Sequence, residues 1–277
     1  MTFYWIYDLT NLQLAMISCG VCITYTWLGV ILVGNALRRH TEDPAGIGDF
    51  VGQYLSALGL FFGLMLGLVA VASYENYGAA ETAVSVEANQ VAGLYRTVSA
   101  YPPPYRQQLQ GAIYDYVDYV VEDAWPQYRR GVIPTDGPAR VSAIQVRLFA
   151  VQPTRTGDQL VHAEALRQFS GFTEATRNRL EFVNTGLPSM LWLIVMIGAA
   201  MTLALLWFIT NDLLWVRLTA SGVLAIYVGL MMFFIAAMDH PLRGAYSISP
   251  DALVDLRTMI QAYRGSVESP TRYDAGR

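Results

Sequence analysis

The chain has 277 residues, of which 54% are hydrophobic and 14% charged, with a net charge of −4. A soluble domain is about 25% charged, so the composition excludes an ordinary water-soluble globule, and the acidic balance gives a nucleic-acid partner no footing. The apolar residues collect in four uncharged blocks rather than at amphipathic spacing, which is the pattern of membrane spans.

Residues 1–11 hold Phe3, Tyr4, Trp5 and Tyr7, an aromatic density that predicts an interfacial belt. No Lys or Arg falls in residues 1–12. The apolar block that follows is too long for the core of a secretory signal, so residues 13–37 are expected to stay as span one. Cys19 and Cys22 lie inside it. A helix in lipid offers no second ligand pair for zinc, and a disulfide at i,i+3 would be strained, so both read as small packing residues. Arg38, Arg39 and His40 stop the span. Residues 41–50, with Pro44, Gly46, Gly48 and Asp49, read as a polar loop.

Span two covers residues 51–73. Gly59, Gly63 and Gly67 recur in it every four residues, which on a helix makes a nearly straight groove where backbones can approach. The block ends at Tyr74-Glu75-Asn76-Tyr77 without a strong breaker. Apolar residues continue at Ala80, Val84, Val91, Leu94 and Val98, so the helix is expected to cross the membrane and run on into water. Glu75, Glu81 and Glu87 follow the span. At 100° per residue they point three ways, which predicts a solvated helix start rather than a metal face.

About 110 residues separate spans two and three, with helix signals throughout. Pro102-Pro103-Pro104 ends one helix and suits the start of the next. Residues 105–130 place Leu109, Ile113, Tyr116, Val117 and Val120 on one face. Residues 131–138 are a loop with Pro134, Gly137 and Pro138. Shorter and longer helices are expected at 141–151 and 158–185, and Gly186-Leu187-Pro188 turns the chain back toward lipid. Span three is 188–209, Asn211 and Asp212 make a tight reversal, and span four is 213–238. Asp239-His240-Pro241 closes it. An amphipathic helix over 252–263 is capped by Ser249 or Asp251, and residues 265–277 are expected to be a disordered tail.

The predicted fold is all-α: a four-span helical membrane protein with an extramembrane helical bundle continuous with spans two and three. The domain reading is 1–73 for spans one and two, 74–186 for the extramembrane bundle, 187–240 for spans three and four, and 241–277 for the C-terminal helix and tail. Flanking arginines count three against three, so the sequence leaves the sidedness open. No ionisable residue lies in the interior of any span, which argues against proton-coupled transport. Paired Gly/Pro interruptions and the common enzyme motifs are also missing, so neither a transporter of broken-helix type nor an enzyme is expected. His40, His162 and His240 are far apart and read as surface or interfacial residues; no metal and no cofactor are expected.

The run from Gly63 through Tyr74 to Tyr77 resembles the second membrane helix of bestrophins, with aromatics at the places of Tyr74 and Tyr77. Asp239-His240-Pro241-Leu242-Arg243-Gly244 resembles the bestrophin Asn-Pro-Phe-Gly segment. Over nearly the whole chain the closer resemblance is to a bacterial family called bestrophin-like, through Trp125-Pro126, the Gly-Leu-Pro at 186–188 and Ser249-Pro250. The resemblance implies a homo-oligomeric ion channel, anion-conducting, in a bacterial inner (plasma) membrane. Bestrophins are pentamers, and chloride or another small anion would be the permeant ion. Laying the matching segments together implies a hydrophobic neck at Ser56, Leu60 and Leu64, positions i, i+4 and i+8 on one stripe. Gly59, Gly63 and Gly67 would pack a neighbouring helix, and Tyr74, Glu75, Tyr77 and Asp239 would border a vestibule. Bestrophins carry an acidic run after their Pro-Phe-Gly; here only Asp251 is acidic, so no calcium clasp is expected. Two rival readings are a non-conducting scaffold or sensor whose helical domain binds a partner, and a cation channel with Glu75 or Asp239 as a ring.

Overall fold

The computed structural model describes residues 10–40, 44–209, 213–244 and 246–268. The regular elements among them are all helical: α1 (Asn11–His40), α2 (Pro44–Val98), α3 (Tyr105–Tyr119), a π-helical turn (Val120–Ala124), α4 (Trp125–Tyr128), α5 (Gly137–Phe149), α6 (Thr156–Asn184), α7 (Ser189–Leu205) with a 3-10 turn (Leu206–Phe208), α8 (Leu214–Asp239) and α9 (Asp251–Glu268). Four helical stretches are long and apolar enough to cross a membrane. The aromatic N-terminal segment, the Asn211-Asp212 reversal and the tail beyond residue 268 lie outside the described residues.

Two helix ends need correction. The loop expected over 41–50 is already helix from Pro44; proline suits a first helical position because its missing N–H would have no partner there. Helix α9 continues to Glu268, beyond the end expected at residue 263.

The chain divides into two compact units. The first holds α1, the part of α2 up to Tyr77, α7 and α8. Its core joins Phe62, Leu66 and Val69 of α2 to Val195, Ala199 and Leu203 of α7 and to Ala225, Val228 and Ile235 of α8. Helix α1 lies along α8. At Gly229 a Cβ would stand 2.7 Å from the Cα of Cys19, which is backbone and cannot rotate away. The Ser18 hydroxyl donates to the Gly229 carbonyl at 2.7 Å across the same contact. Gly229→Ala should therefore force the two helices apart and cost about 1–3 kcal/mol, as overpacking does. Gly63→Ala, whose Cβ meets no atom of the described residues within 4 Å, should leave their packing unchanged. Melting temperatures of the two variants in detergent check the contrast.

Arg217 departs from the reading that arginines only flank the spans. It sits in the first turn of α8, is 1% exposed, and donates to the carbonyl of Val30 at 2.9 Å and to Asn35 Oδ1 at 3.4 Å. Its guanidinium occupies the space a Cβ at Gly34 would need. A long side chain can thus be sequence-adjacent to a span end and still be satisfied inside the bundle.

The second unit holds the rest of α2, α3 to α6 and α9. Leu94 and Val98 of α2, Leu109, Ile113 and Val117 of α3, Leu148 of α5, Phe172 of α6 and Leu253 and Leu256 of α9 are buried in it. The single helix expected over 105–130 is interrupted by the π turn, where the Trp125 N–H bonds the Val120 carbonyl five residues back. Pro126 follows directly. It has no N–H, and its ring would strike the carbonyl four residues back in a regular helix; the wider turn relieves that clash. The Trp125 indole then donates to the Ile248 carbonyl at 3.1 Å, holding the segment before α9.

Candidate functional site

Helix α2 has two unlike faces in the first unit. Phe62, Leu66, Val69 and Ser73 are buried, and Gly198 of α7 leaves the space that the Phe62 ring fills. On the other side Leu60 is 71% exposed and Leu64 63% exposed, although both are apolar. Ser56 is exposed too, and its hydroxyl donates to the Gly52 carbonyl of its own helix at 2.9 Å. A Cβ at Gly59, Gly63 or Gly67 would meet nothing within 4 Å. At 100° per residue the glycine stripe and the leucine stripe adjoin as two parts of one uncovered sector. Among the described residues, none fills either of them. Beyond the apolar run Tyr74 is 61% exposed and Glu75 is exposed. The Tyr77 hydroxyl turns aside to donate to the Tyr246 carbonyl at 3.4 Å.

Asp239 does not face water. It is 2% exposed and accepts the Leu187 N–H at 2.5 Å and the Trp192 indole N–H at 3.0 Å, with His240 Nε2 at 3.8 Å. This corrects the vestibule and carboxylate-ring readings of Asp239: the carboxylate fastens the end of α8 to the start of α7. Gly186 makes room for both side chains, since a Cβ there would lie 2.6 Å from the His240 ring and 3.1 Å from Asp239 Oδ1. Asp239→Ala would strand two part-buried N–H donors, a cost of about 1–3 kcal/mol in all, since a fully buried group left unpaired costs that much by itself. A lowered melting temperature, with Asp239→Asn intermediate, is the expected result.

Glu87 is the second correction. Far from a solvated helix start, it is fully buried and pairs with Arg179 of α6, itself 1% exposed. Tyr116 donates to the same carboxylate at 2.5 Å and Thr176 at 2.9 Å. The Arg179 guanidinium also lies 5.0 Å from the Tyr128 ring centroid and 5.6 Å from that of Trp125. Burial opposes its charge, but the Glu87 carboxylate outweighs this and holds its pKa well above the ordinary range. Burial, then the same carboxylate, pushes the Tyr116 hydroxyl well above its usual pKa. A sequence signal existed. Ala80, Val84, Glu87, Val91, Leu94 and Val98 repeat at alternating steps of four and three, as do Ala165, Phe169, Phe172, Thr176, Arg179 and Val183. One charge of each sign therefore stands at a core position of a helical seam. His162, expected at the surface, is half-buried and shares a 2.8 Å hydrogen bond with the Tyr101 hydroxyl.

A family model described as a Bestrophin-like domain matches residues 21–253. No curated protein matches the chain significantly. Among solved structures, a Leu-to-Thr variant of a bacterial bestrophin homologue from Klebsiella pneumoniae is 11% identical, with 91% of this chain and 99% of that chain covered and a TM-score of 0.68. An Asp-to-Ala variant of the homologue from the same organism is 13% identical, with coverage of 90% and 98% and a TM-score of 0.67. A structure described as a membrane protein, a Leu-to-Ala variant, is 11% identical, with coverage of 90% and 98% and a TM-score of 0.69. At these identities the likeness is one of fold.

Proposed function

The chain belongs to the bestrophin-like family and is an integral membrane protein, and from that premise we propose that it is a homo-oligomeric, anion-conducting channel of the bacterial inner membrane. Its α2 helices would surround the axis, with Ser56, Leu60 and Leu64 forming a hydrophobic neck, and with Tyr74, Glu75 and Tyr77 bordering the vestibule above it. The observation that carries this reading is the uncovered sector of α2. A span with one face packed in a core and the other bare, apolar and free of ionisable groups suits a position beside copies of itself around a dewetting constriction. The core shared by α2, α7 and α8 is apolar, and the buried Arg217 and Asp239 are held in hydrogen bonds near the ends of α8, so one copy offers ions little path and a conducting path needs several copies. The glycines on the same sector suit close helix contacts between copies.

Reconstitution into planar bilayers under asymmetric chloride tests the reading. Current reversing near the chloride equilibrium potential is expected, together with an oligomer by mass measurement in mild detergent. Reversal toward the cation potential would move selectivity to Glu75, the exposed carboxylate of the group. An intact oligomer that passes no current would replace the channel with a scaffold.

A further inference from the structure

In the second unit α3 and α5 pack side by side and leave an open groove of about 350 Å³. One wall carries Asp115, Asp118 and Asp123; the other carries Arg140 and Arg147. Opposite charges line the two walls, yet among the described residues no ion pair joins an aspartate of one wall to an arginine of the other. Asp118 pairs instead with Arg257 of α9 at 3.2 Å. Arg147 turns back to the carbonyl of Ala143 at 2.9 Å. Arg140 stands 3.8 Å over the ring of Tyr119. Asp115 and Asp123 are exposed.

Tyr119 lines the same groove but is only 5% exposed, and its buried hydroxyl has no hydrogen-bond partner among the described residues. A buried hydroxyl left without a partner is a cost that a bound polar group would relieve. Burial pushes its pKa up, so it is a neutral hydroxyl able to donate or accept.

The donor set narrows the ligand. No three His, Cys, Asp or Glu side chains among the described residues are placed to hold a metal ion. A simple anion would meet three carboxylates, and a simple cation two guanidinium groups. A molecule with both charges meets a complementary wall at each end, and the volume suits a small ligand.

We propose that the α3–α5 groove binds a small zwitterion with an ammonium and a carboxylate, of the free amino-acid class, lying across the groove with its ammonium on one aspartate of the first wall, Asp115 or Asp123, which stand about 12 Å apart along the helix, and its carboxylate on one arginine of the other, Arg140 or Arg147. The competing account is a pair of ordinary solvated helix faces, and titration calorimetry on the full chain in detergent separates them. The probes are glycine, 3-aminopropanoate and 5-aminopentanoate, which space the two charges differently; butylamine and butyrate at matched ionic strength are the single-charge controls. At least one zwitterion should bind about tenfold more tightly than either control. Removing the charge of one whole wall, by Asp115→Asn with Asp123→Asn or by Arg140→Gln with Arg147→Gln, should weaken it about tenfold, and Tyr119→Phe should weaken it less. The free variants should melt close to the parent, because among the described residues none of Asp115, Asp123, Arg140 and Arg147 closes an ion pair whose loss would unfold the unit. Absence of binding by all three zwitterions overturns the proposal. So does equal binding of butylamine or butyrate, or binding that survives both the double aspartate and the double arginine substitution.

Discussion

Replacing Glu87 with leucine should cost the protein about 3–5 kcal/mol, the usual penalty for breaking a buried ion pair by removing one partner. Arg179 would keep its charge 1% exposed, with only aromatic faces left to meet it. Tyr116 and Thr176 would lose the carboxylate they donate to and keep only the 3.2 Å bond between their own hydroxyls. Arg179→Leu should cost a similar amount for the mirror reason, a buried carboxylate without its counter-charge. The double variant Glu87→Leu, Arg179→Leu is the informative one. Two leucines at core positions of the seam carry no charge to strand, so most of the loss should return. Glu87→Gln, which keeps hydrogen-bonding capacity without the charge, should fall between. Denaturant melts in detergent report the energies. Amide exchange over residues 80–98 and 165–183 should rise in the single variants and fall again in the double. Single variants that melt like the parent would mean that the pair is not buried as described.

The neck gives the largest expected effect on conduction. If Leu60 and Leu64 form apolar rings, they hold ions back by dewetting, not by charge. Leu60→Ala or Leu64→Ala widens the ring and makes it less hydrophobic, so single-channel conductance should rise severalfold. Assembly should survive, because the glycine stripe is untouched. Neither leucine is packed within its own chain, at 71% and 63% exposed, so truncating it opens no cavity there. Gly63→Leu should do the opposite. Gly63 is exposed, and a Cβ there meets none of the described residues within 4 Å, so the protomer should fold, but the substitution places a bulky side chain where helices of neighbouring copies would meet, and oligomer mass should fall first. If the glycines line the water path instead, Gly63→Leu narrows the pore while assembly survives, and both leucine variants behave like the parent. Single-channel current and oligomer mass on the three variants separate the two geometries.

The sequence by itself determined the all-helical, four-span character of this protein. That information is local: a charge in lipid costs a few kcal/mol wherever it falls, so uncharged blocks must be read as spans without knowing what lies beside them. Helix breaks at Pro102 and Pro188 were legible for the same reason, because proline removes a donor from its own turn. So was the apolar stripe holding Leu60 and Leu64, since periodicity alone gives a shared face. Which side of that helix stays bare was decided by tertiary structure, through the packing of Phe62, Leu66 and Val69 against α7 and α8. The fates of the charged residues were decided there too. Glu87 looks like its exposed neighbours Glu75 and Glu81 until Arg179, 92 residues away in the chain, is brought against it. Asp239 looks like a mouth carboxylate until Leu187 and Trp192, about 50 residues earlier, present two N–H donors to it. Arg217 looks like a flanking charge until Val30, 187 residues earlier, offers a carbonyl. A side chain's type tells what it needs, but only the fold says whether water or a distant residue supplies it.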